Sequence, residues 1–509
     1  MHRLIALLLL LPCTRAAFAQ AEIGALPQEL ESYVAAALHD WEVPGAAIAV
    51  VKDDQVVVAK GYGVRELGKP DAVDAETLFD IASLTKSFTA AMIASLVDEK
   101  KLAWDEPVRT YLPGLRFRDP YMTANVTLRD LLCHRTEIRN NSAWYFGRLS
   151  SAQFLELFAK LEPQAPFRTQ WMYSNIGYQA AAEAAGASAG STWEKLVTGR
   201  MLEPLGMTRS VANFDTAPAL GNYAMPHAEI DGVQRAVPRE VSRMSTAAAG
   251  GVQSSARDLA TWMRFQLGDG SFQGRRILSA EAMGEMHAPQ IFVPTTPEFR
   301  TKRQLHFPIG YGFGWQIWDY RGTPLLWHSG SGDGESAYLA LLPEHELGVV
   351  VLINSWKPGG SAFNLALTSR ILDYYLGAPA RDYLAEYRET WNRVRQQDAD
   401  ERKALDAARL TKIKPTLPLA SYAGTYRDEL GLDVSVTVAG DVLVLQYAAG
   451  QKATLEHWHG DTFRTRWENP LVAQERAAFV SFRVDEHGKA AGLHMELFRE
   501  PIDAAVVKD

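Results

Sequence analysis

Thr77-Leu78-Phe79-Asp80-Ile81-Ala82-Ser83-Leu84-Thr85-Lys86 runs from an apolar lead-in to a serine with a lysine three residues on. A serine hydroxyl is a poor nucleophile until a neighbour takes its proton, and a lysine does so only once its ammonium is discharged. Positions i and i+3 share a helix face, so Ser83 and Lys86 are presented together. Leu84, Phe88, Met92 and Leu96 recur every fourth residue as an apolar stripe, which predicts a buried helix opening at Ser83. Free N–H groups and the dipole at such a helix start favour a developing oxyanion. Lys86 must be dehydrated, or set beside another cation, for its pKa to fall. A capping serine followed by a solvated lysine is the plain alternative.

Two further clusters favour chemistry. In Tyr173-Ser174-Asn175 a phenol near the lysine can relay a proton, and the amide can hold a substrate carbonyl; the competing reading is a turn opening a helix at Ile176. His328-Ser329-Gly330-Ser331 closes a predicted strand beside Gly332 and Gly334. Small residues there let a substrate backbone approach, the Ser331 N–H can complete an oxyanion hole with that of Ser83, and His328 can donate to a substrate carboxylate or carbonyl. A glycine-rich hairpin turn is the alternative.

Around these clusters, a helix is expected over about Pro27 to Trp41, then buried strands at Ala46 to Val51 and Val56 to Ala59 joined at Asp53-Asp54. From Ser83 to about Leu278 the pattern is mostly helical. Thr127-Leu128-Arg129-Asp130 and Ser255-Ala256-Arg257-Asp258 have capping-box spacing. Strand signals return as two hairpins, Gly310 to Trp318 with Thr323 to His328, and Ala337 to Leu342 with Gly348 to Asn354, before a helix from about Ser361 to Leu376. Strands at both ends with helices between them imply one sheet built from N- and C-terminal segments. Residues 381–418 read as a helical linker ending in Lys414-Pro415-Thr416-Leu417-Pro418. From 419 to 509 alternating strands such as Val434, Val436 and Val438 predict an antiparallel β barrel.

The 509 residues suggest two or three domains, and 47% hydrophobic content is ample for their cores. A net charge of −8 without a basic run argues against a nucleic-acid partner. His2-Arg3, the apolar run Leu4 to Leu11 and Ala17-Phe18-Ala19 have the form of a secretory signal over residues 1–19, which predicts a periplasmic or secreted protein. No segment reaches the ~20 apolar residues of a membrane span. Of the two cysteines, Cys13 leaves with the signal and Cys133 is a core residue, so no internal disulfide forms. His457-Trp458-His459 lacks an acidic or cysteine cluster beside it, so no metal is expected.

The Ser-x-x-Lys, Tyr-x-Asn and His-x-Gly elements, in this order over about residues 25 to 380, resemble the serine hydrolase family that includes class C β-lactamases, DD-carboxypeptidases, D-aminopeptidases and related esterases. The resemblance implies an α/β fold over residues 20–380, an antiparallel sheet flanked by helices with an all-helical insertion. It implies Ser83 as acylated nucleophile, Lys86 and Tyr173 sharing base and acid work, Asn175, His328, Gly330 and Ser331 at the substrate, and no cofactor. Residues 419–509 resemble the lipocalin-like appendage of peptidases in this group.

The chain departs from that pattern twice. Where many relatives have Lys-Thr-Gly on the third strand it has His328-Ser329-Gly330, and a near-neutral imidazole holds a carboxylate less strongly than an ammonium. Where relatives tend to have L-x-H-T-S-G it has Leu132-Cys133-His134-Arg135-Thr136-Glu137, which puts a carboxylate near the expected site mouth. The expected substrate is a short peptide or small amide, ahead of an ester or β-lactam, and a homo-oligomer is compatible with this. A β-lactam-acylated binding protein is a weaker reading, since no anchor or partner module accompanies it. Specificity is expected in the loops Asn140 to Phe146 and Gln290 to His306. A rival nucleophile, Ser188, lies in Gly186-Ala187-Ser188-Ala189-Gly190, a G-x-S-x-G match that needs a strand before it but follows an alanine-rich helical run.

Overall fold

The computed structural model describes residues 24–138, 149–230, 232–239, 246–303, 305–356, 360–447, 451–469, 479–497 and 500–507. The expected signal and the loop Asn140 to Phe146 lie outside them. The first helix spans Gln28–Asp40, and the chain then makes the hairpin Gly45–Lys52 and Gln55–Gly63. These two strands join six later ones in an eight-stranded sheet. From one edge the order is Gln55–Gly63, Gly45–Lys52, Leu347–Ile353, Ser336–Leu342, Thr323–Ser331, Gln316–Tyr320, Gly310–Tyr311 and Ile291–Phe292. Every neighbouring pair is antiparallel. N- and C-terminal segments thus build one sheet, as expected.

Strict alternation makes it the middle layer. Ala47, Ala49 and Val51 enter one core and Ala46, Ile48 and Val50 the other. The helix Gly360–Tyr375 and the first helix cover one face, and Ala256–Leu267 packs on the other. Beyond it lies the helix Thr85–Asp98, buried from Thr85 through Leu96. The predicted stripe is therefore only part of its buried surface. Thr89 and Ser95 go under as well, their hydroxyls donating to the Ala248 and Met92 carbonyls.

Two local readings change. The stretch read as mostly helical also contains the hairpin His227–Ile230 and Val233–Ala236, turning near Gly232 at φ 77°. Thr127 and Asp130 form a complete capping box, but Ser255 and Asp258 form half of one. The Asp258 carboxylate turns instead to the Arg209 and Ser210 N–H groups and the Ser210 hydroxyl, and burial pushes its pKa up to about 6. Cys133 is free and buried, its thiol pushed up to about 12 by burial.

The helix Tyr383–Ala407 docks through the Tyr383 hydroxyl on Asp373 and leads to eight sequential strands that close into a barrel. Tyr422, Tyr426, Leu445, Phe463, Phe482 and Met495 are among the side chains that fill it, so the barrel interior is a packed core. Among the described residues no helix is long and apolar enough to cross a membrane.

Candidate active site

Ser83 stands in a single 3-10 turn, Ala82–Leu84, that runs straight into the helix Thr85–Asp98. Ala82 takes φ 42°, a left-handed backbone rare for a residue with a Cβ. Its N–H donates to the Asp80 carboxylate at 2.8 Å, which holds the strained turn in place. The third-strand segment lies against this turn. A Cβ on Gly330 would fall 2.1 Å from the Ile81 carbonyl oxygen and 3.2 Å from the Ser83 nitrogen. The glycine was expected to admit a substrate backbone; it admits the backbone of the Ser83 turn instead.

Ser83 Oγ accepts from Lys86 Nζ at 3.0 Å and from the Tyr173 hydroxyl at 2.9 Å. Lys86 is fully buried, which meets the dehydration that a lysine base requires, and its Nζ lies 4.7 Å from the centre of the Tyr173 ring. It also donates to Asn175 Oδ1 at 2.7 Å and to the Ala249 carbonyl at 3.0 Å. Asn175 was expected to hold substrate; its amide oxygen serves the lysine. The reason is the dry environment, where each ammonium donor needs an acceptor.

Tyr173 precedes the helix Asn175–Ala189, and His134 grips the chain on both sides of it. The His134 carbonyl accepts from Met172 N–H at 2.8 Å and its Nδ1 from Ser174 N–H at 3.0 Å. The two rings lie 4.5 Å apart. Burial, and then the Lys86 charge, hold the His134 imidazole well below its ordinary pKa.

His328 departs further from expectation. Its Nδ1 lies 2.7 Å from the Ser329 carbonyl and its Nε2 3.1 Å from the Tyr311 hydroxyl. A carbonyl only accepts, so Nδ1 carries the hydrogen and Nε2 takes that of Tyr311. No donor is left for a substrate carboxylate. Burial, then Lys86, lowers the ring's pKa to about 3, so it stays neutral. Ser331 is exposed at the strand end.

These residues meet at a cleft of about 300 Å³, whose walls include Ser83, Tyr173, Asn175, His328 and Ser331. Thr246, Gln316, Trp327 and the backbone at Ala249-Gly250 also line it, and the sequence reading missed them. Gln316 and Trp327 are cross-strand partners next to His328, a relation visible only once the strands are in register. Glu137, expected near the mouth, is fully buried and faces backbone N–H groups. Of the second expected specificity loop, Ile291–Phe292 is the edge strand of the sheet and Phe292 is exposed.

Ser188 lies within the helix Asn175–Ala189, with no strand before it, and donates to the Lys101 carbonyl at 2.9 Å. The strand-turn-helix of a nucleophile elbow is absent there. In the barrel, His457 Nε2 meets the Gly460 carbonyl and His459 Nδ1 the Leu410 N–H. Among the described residues no group of His, Cys, Asp or Glu is arranged to hold a metal.

The family model described as Beta-lactamase matches residues 30–371, and a domain of unknown function, DUF3471, matches residues 408–506. The unguisins hydrolase ungD of Aspergillus violaceofuscus is 29% identical over 475 residues, covering 86% of this chain and 82% of that protein. Penicillin-binding protein 4 of Amycolatopsis lactamdurans is 28% identical over 320 residues, covering 62% of this chain and 82% of the relative. The solved structure of an octameric penicillin-binding protein homologue from Pyrococcus abyssi aligns with a TM-score of 0.58 at 25% identity, covering 94% of this chain and 99% of that one. With the family model spanning well over half of the sequence, the chain belongs to the Beta-lactamase family and is a serine hydrolase.

Proposed function

We propose that the protein hydrolyses a short peptide or small amide through an acyl-enzyme on Ser83. Lys86 as the free amine, with Tyr173, takes the Ser83 proton as Oγ attacks the carbonyl carbon. The backbone N–H groups of Ser83 and Ser331 receive the tetrahedral oxyanion. The scissile C–N bond breaks as Tyr173 and Lys86 return the proton to the leaving nitrogen. Water then attacks the acyl carbon, giving its proton to the same pair, which passes it to Ser83 Oγ as the acyl C–O bond breaks and the acid leaves. The observation that carries this reading is the pair of donors, Lys86 Nζ and Tyr173 OH, converging on one buried-edge hydroxyl.

The amide of Gln316 and the hydroxyl of Thr246 in the cleft wall suit the donor and acceptor of a peptide bond. The neutral, fully engaged His328 disfavours a ligand held by its carboxylate, so β-lactam turnover is expected to be weak; that same neutrality favours a carboxylester as the second reading. The names of two relatives, a hydrolase and a penicillin-binding protein, support acyl chemistry in general. Export to the periplasm or medium is proposed from residues 1–19, and a homo-oligomer is in keeping with the Pyrococcus homologue described as octameric.

Intact mass after brief incubation with a fluorophosphonate tests the nucleophile. The adduct is expected on the wild type and on Ser188→Ala and to be lost in Ser83→Ala. Persistence in Ser83→Ala with loss in Ser188→Ala would refute the mechanism.

A further inference from the structure

Segment 134–137 is bound to the strand of chain that ends in Tyr173, and a buried carboxylate does most of the binding. Glu137 Oε1 accepts from the N–H groups of Thr169 and Gln170 at 2.8 and 2.9 Å, and Oε2 accepts from that of Arg168 at 2.9 Å. The Glu137 carbonyl accepts from Gln164 N–H at 2.8 Å. Arg168 is left-handed at φ 66°, which turns three successive N–H groups toward one point, a backbone nest suited to an anion. The nest is filled by the chain's own glutamate.

The nearby guanidinium groups do not account for this burial. Arg135 and Arg168 both pair with Asp130, whose side chain is itself fully buried. Glu137 also sits at φ 55°, a backbone conformation that a glycine would adopt without strain. A residue that costs backbone strain and desolvation here must be held by what its carboxylate binds. Burial raises its pKa, in keeping with a carboxylate held by dipoles alone. Two residues downstream of the nest, His134 takes the N–H groups on either side of Tyr173. The nest therefore anchors the near end of the segment that presents the phenol.

We propose that Glu137 is a positioning residue for Tyr173: its carboxylate, clamped in the nest at Arg168–Gln170, sets the segment so that the Tyr173 hydroxyl reaches Ser83 Oγ. The proposal rests on the reading of Tyr173 as proton relay. The carboxylate acts on the shape of the site wall and touches no substrate.

A double-mutant cycle tests it, with the second-order rate of fluorophosphonate labelling at Ser83 as readout. Glu137→Gln keeps the side-chain shape and removes the charge, so labelling is expected to slow about tenfold, the scale of a charge-assisted hydrogen bond. Glu137→Gly relieves the backbone and loses the clamp; it is expected to fold at least as readily as Glu137→Gln and to label as slowly or more slowly. In a Tyr173→Phe background, itself slow, Glu137→Gln is expected to add less than about a twofold loss, because the group it positions is gone. Equal losses in both backgrounds, or wild-type labelling by both Glu137 variants, would overturn the proposal. Wild-type labelling by Tyr173→Phe would also overturn it, by a distinguishable route, since the relay reading fails first and leaves the clamp nothing to position.

Discussion

The sheet-and-helix lobe and the barrel bury their interiors in different ways. The lobe buries Asp80, Lys86, Asp130, His134, Glu137, His328 and Glu335, whereas the barrel's buried polar side chains among the described residues are Gln451 and Thr465. Buried polar groups must be paired to be tolerated, so the lobe needs long-range partners that the barrel does without. The lobe's interior is therefore organised around directional contacts, and the barrel's around apolar volume. This difference follows from where chemistry is placed. A nucleophile needs a dehydrated lysine, and a dehydrated lysine needs acceptors.

A cavity in the barrel breaks the comparison first, and with the largest effect on stability. Phe463→Ala removes a fully buried ring packed edge-on to Tyr422 and Phe482, at a cost of about 3–5 kcal/mol. Thermal unfolding is expected to show an early barrel transition while Ser83 labelling below that transition keeps its wild-type rate. A matching loss of labelling would show that the two lobes share one cooperative unit.

The corresponding change in the lobe is smaller in stability and larger in rate. Gly330→Ala places a methyl against the Ile81 carbonyl, in a strand that pairs with neighbours on both sides and cannot withdraw freely. A cost of about 1–3 kcal/mol is expected, with labelling roughly 100-fold slower as the turn moves off its donors. Loss of stability with unchanged labelling would mean that the turn is set by Asp80 and the helix Thr85–Asp98 alone.

Acid gives the smallest expected effect. His328, held neutral down to about pH 3, and His134 and His227, both lowered by burial, take up protons more readily in the unfolded chain, near 6.5, than in the folded lobe. Between those values the unfolded state binds more protons at these histidines, so their contribution to lobe stability falls as pH falls below about 6.5, partly offset by Asp258, which takes up a proton in the folded lobe near 6. His328 contributes about 1 kcal/mol of loss by pH 5.5. None of the barrel's four histidines is buried, so the barrel is expected to outlast the lobe. Urea unfolding at pH 7 and 5.5 checks this; an equal shift of both transitions would contradict it.

The parts of the site legible in the chain were those set by local spacing. Ser83 and Lys86 lie one turn apart on any helix, and Tyr173 and Asn175 open another. The strands around His328 alternate in a way that only a sheet satisfies. Asn175 and His328 were read toward substrate because, along the chain, nothing shows which buried donor or acceptor each will face. Glu137 was read toward the mouth for the same reason, since its three N–H partners lie more than thirty residues away in sequence.

Periodicity and spacing along this sequence were enough for the contact between Ser83 and Lys86, the sheet built from both ends of the lobe, and the barrel, because each rests on contacts between near neighbours or on an alternation that any packing must respect. The tautomer and isolation of His328, the use of Asn175 by Lys86, the fit of Gly330 over the Ser83 turn and the seating of Glu137 belong to folding in three dimensions. Each depends on which distant backbone or side chain meets a buried polar atom, and that choice is made only when the layers close and water is excluded.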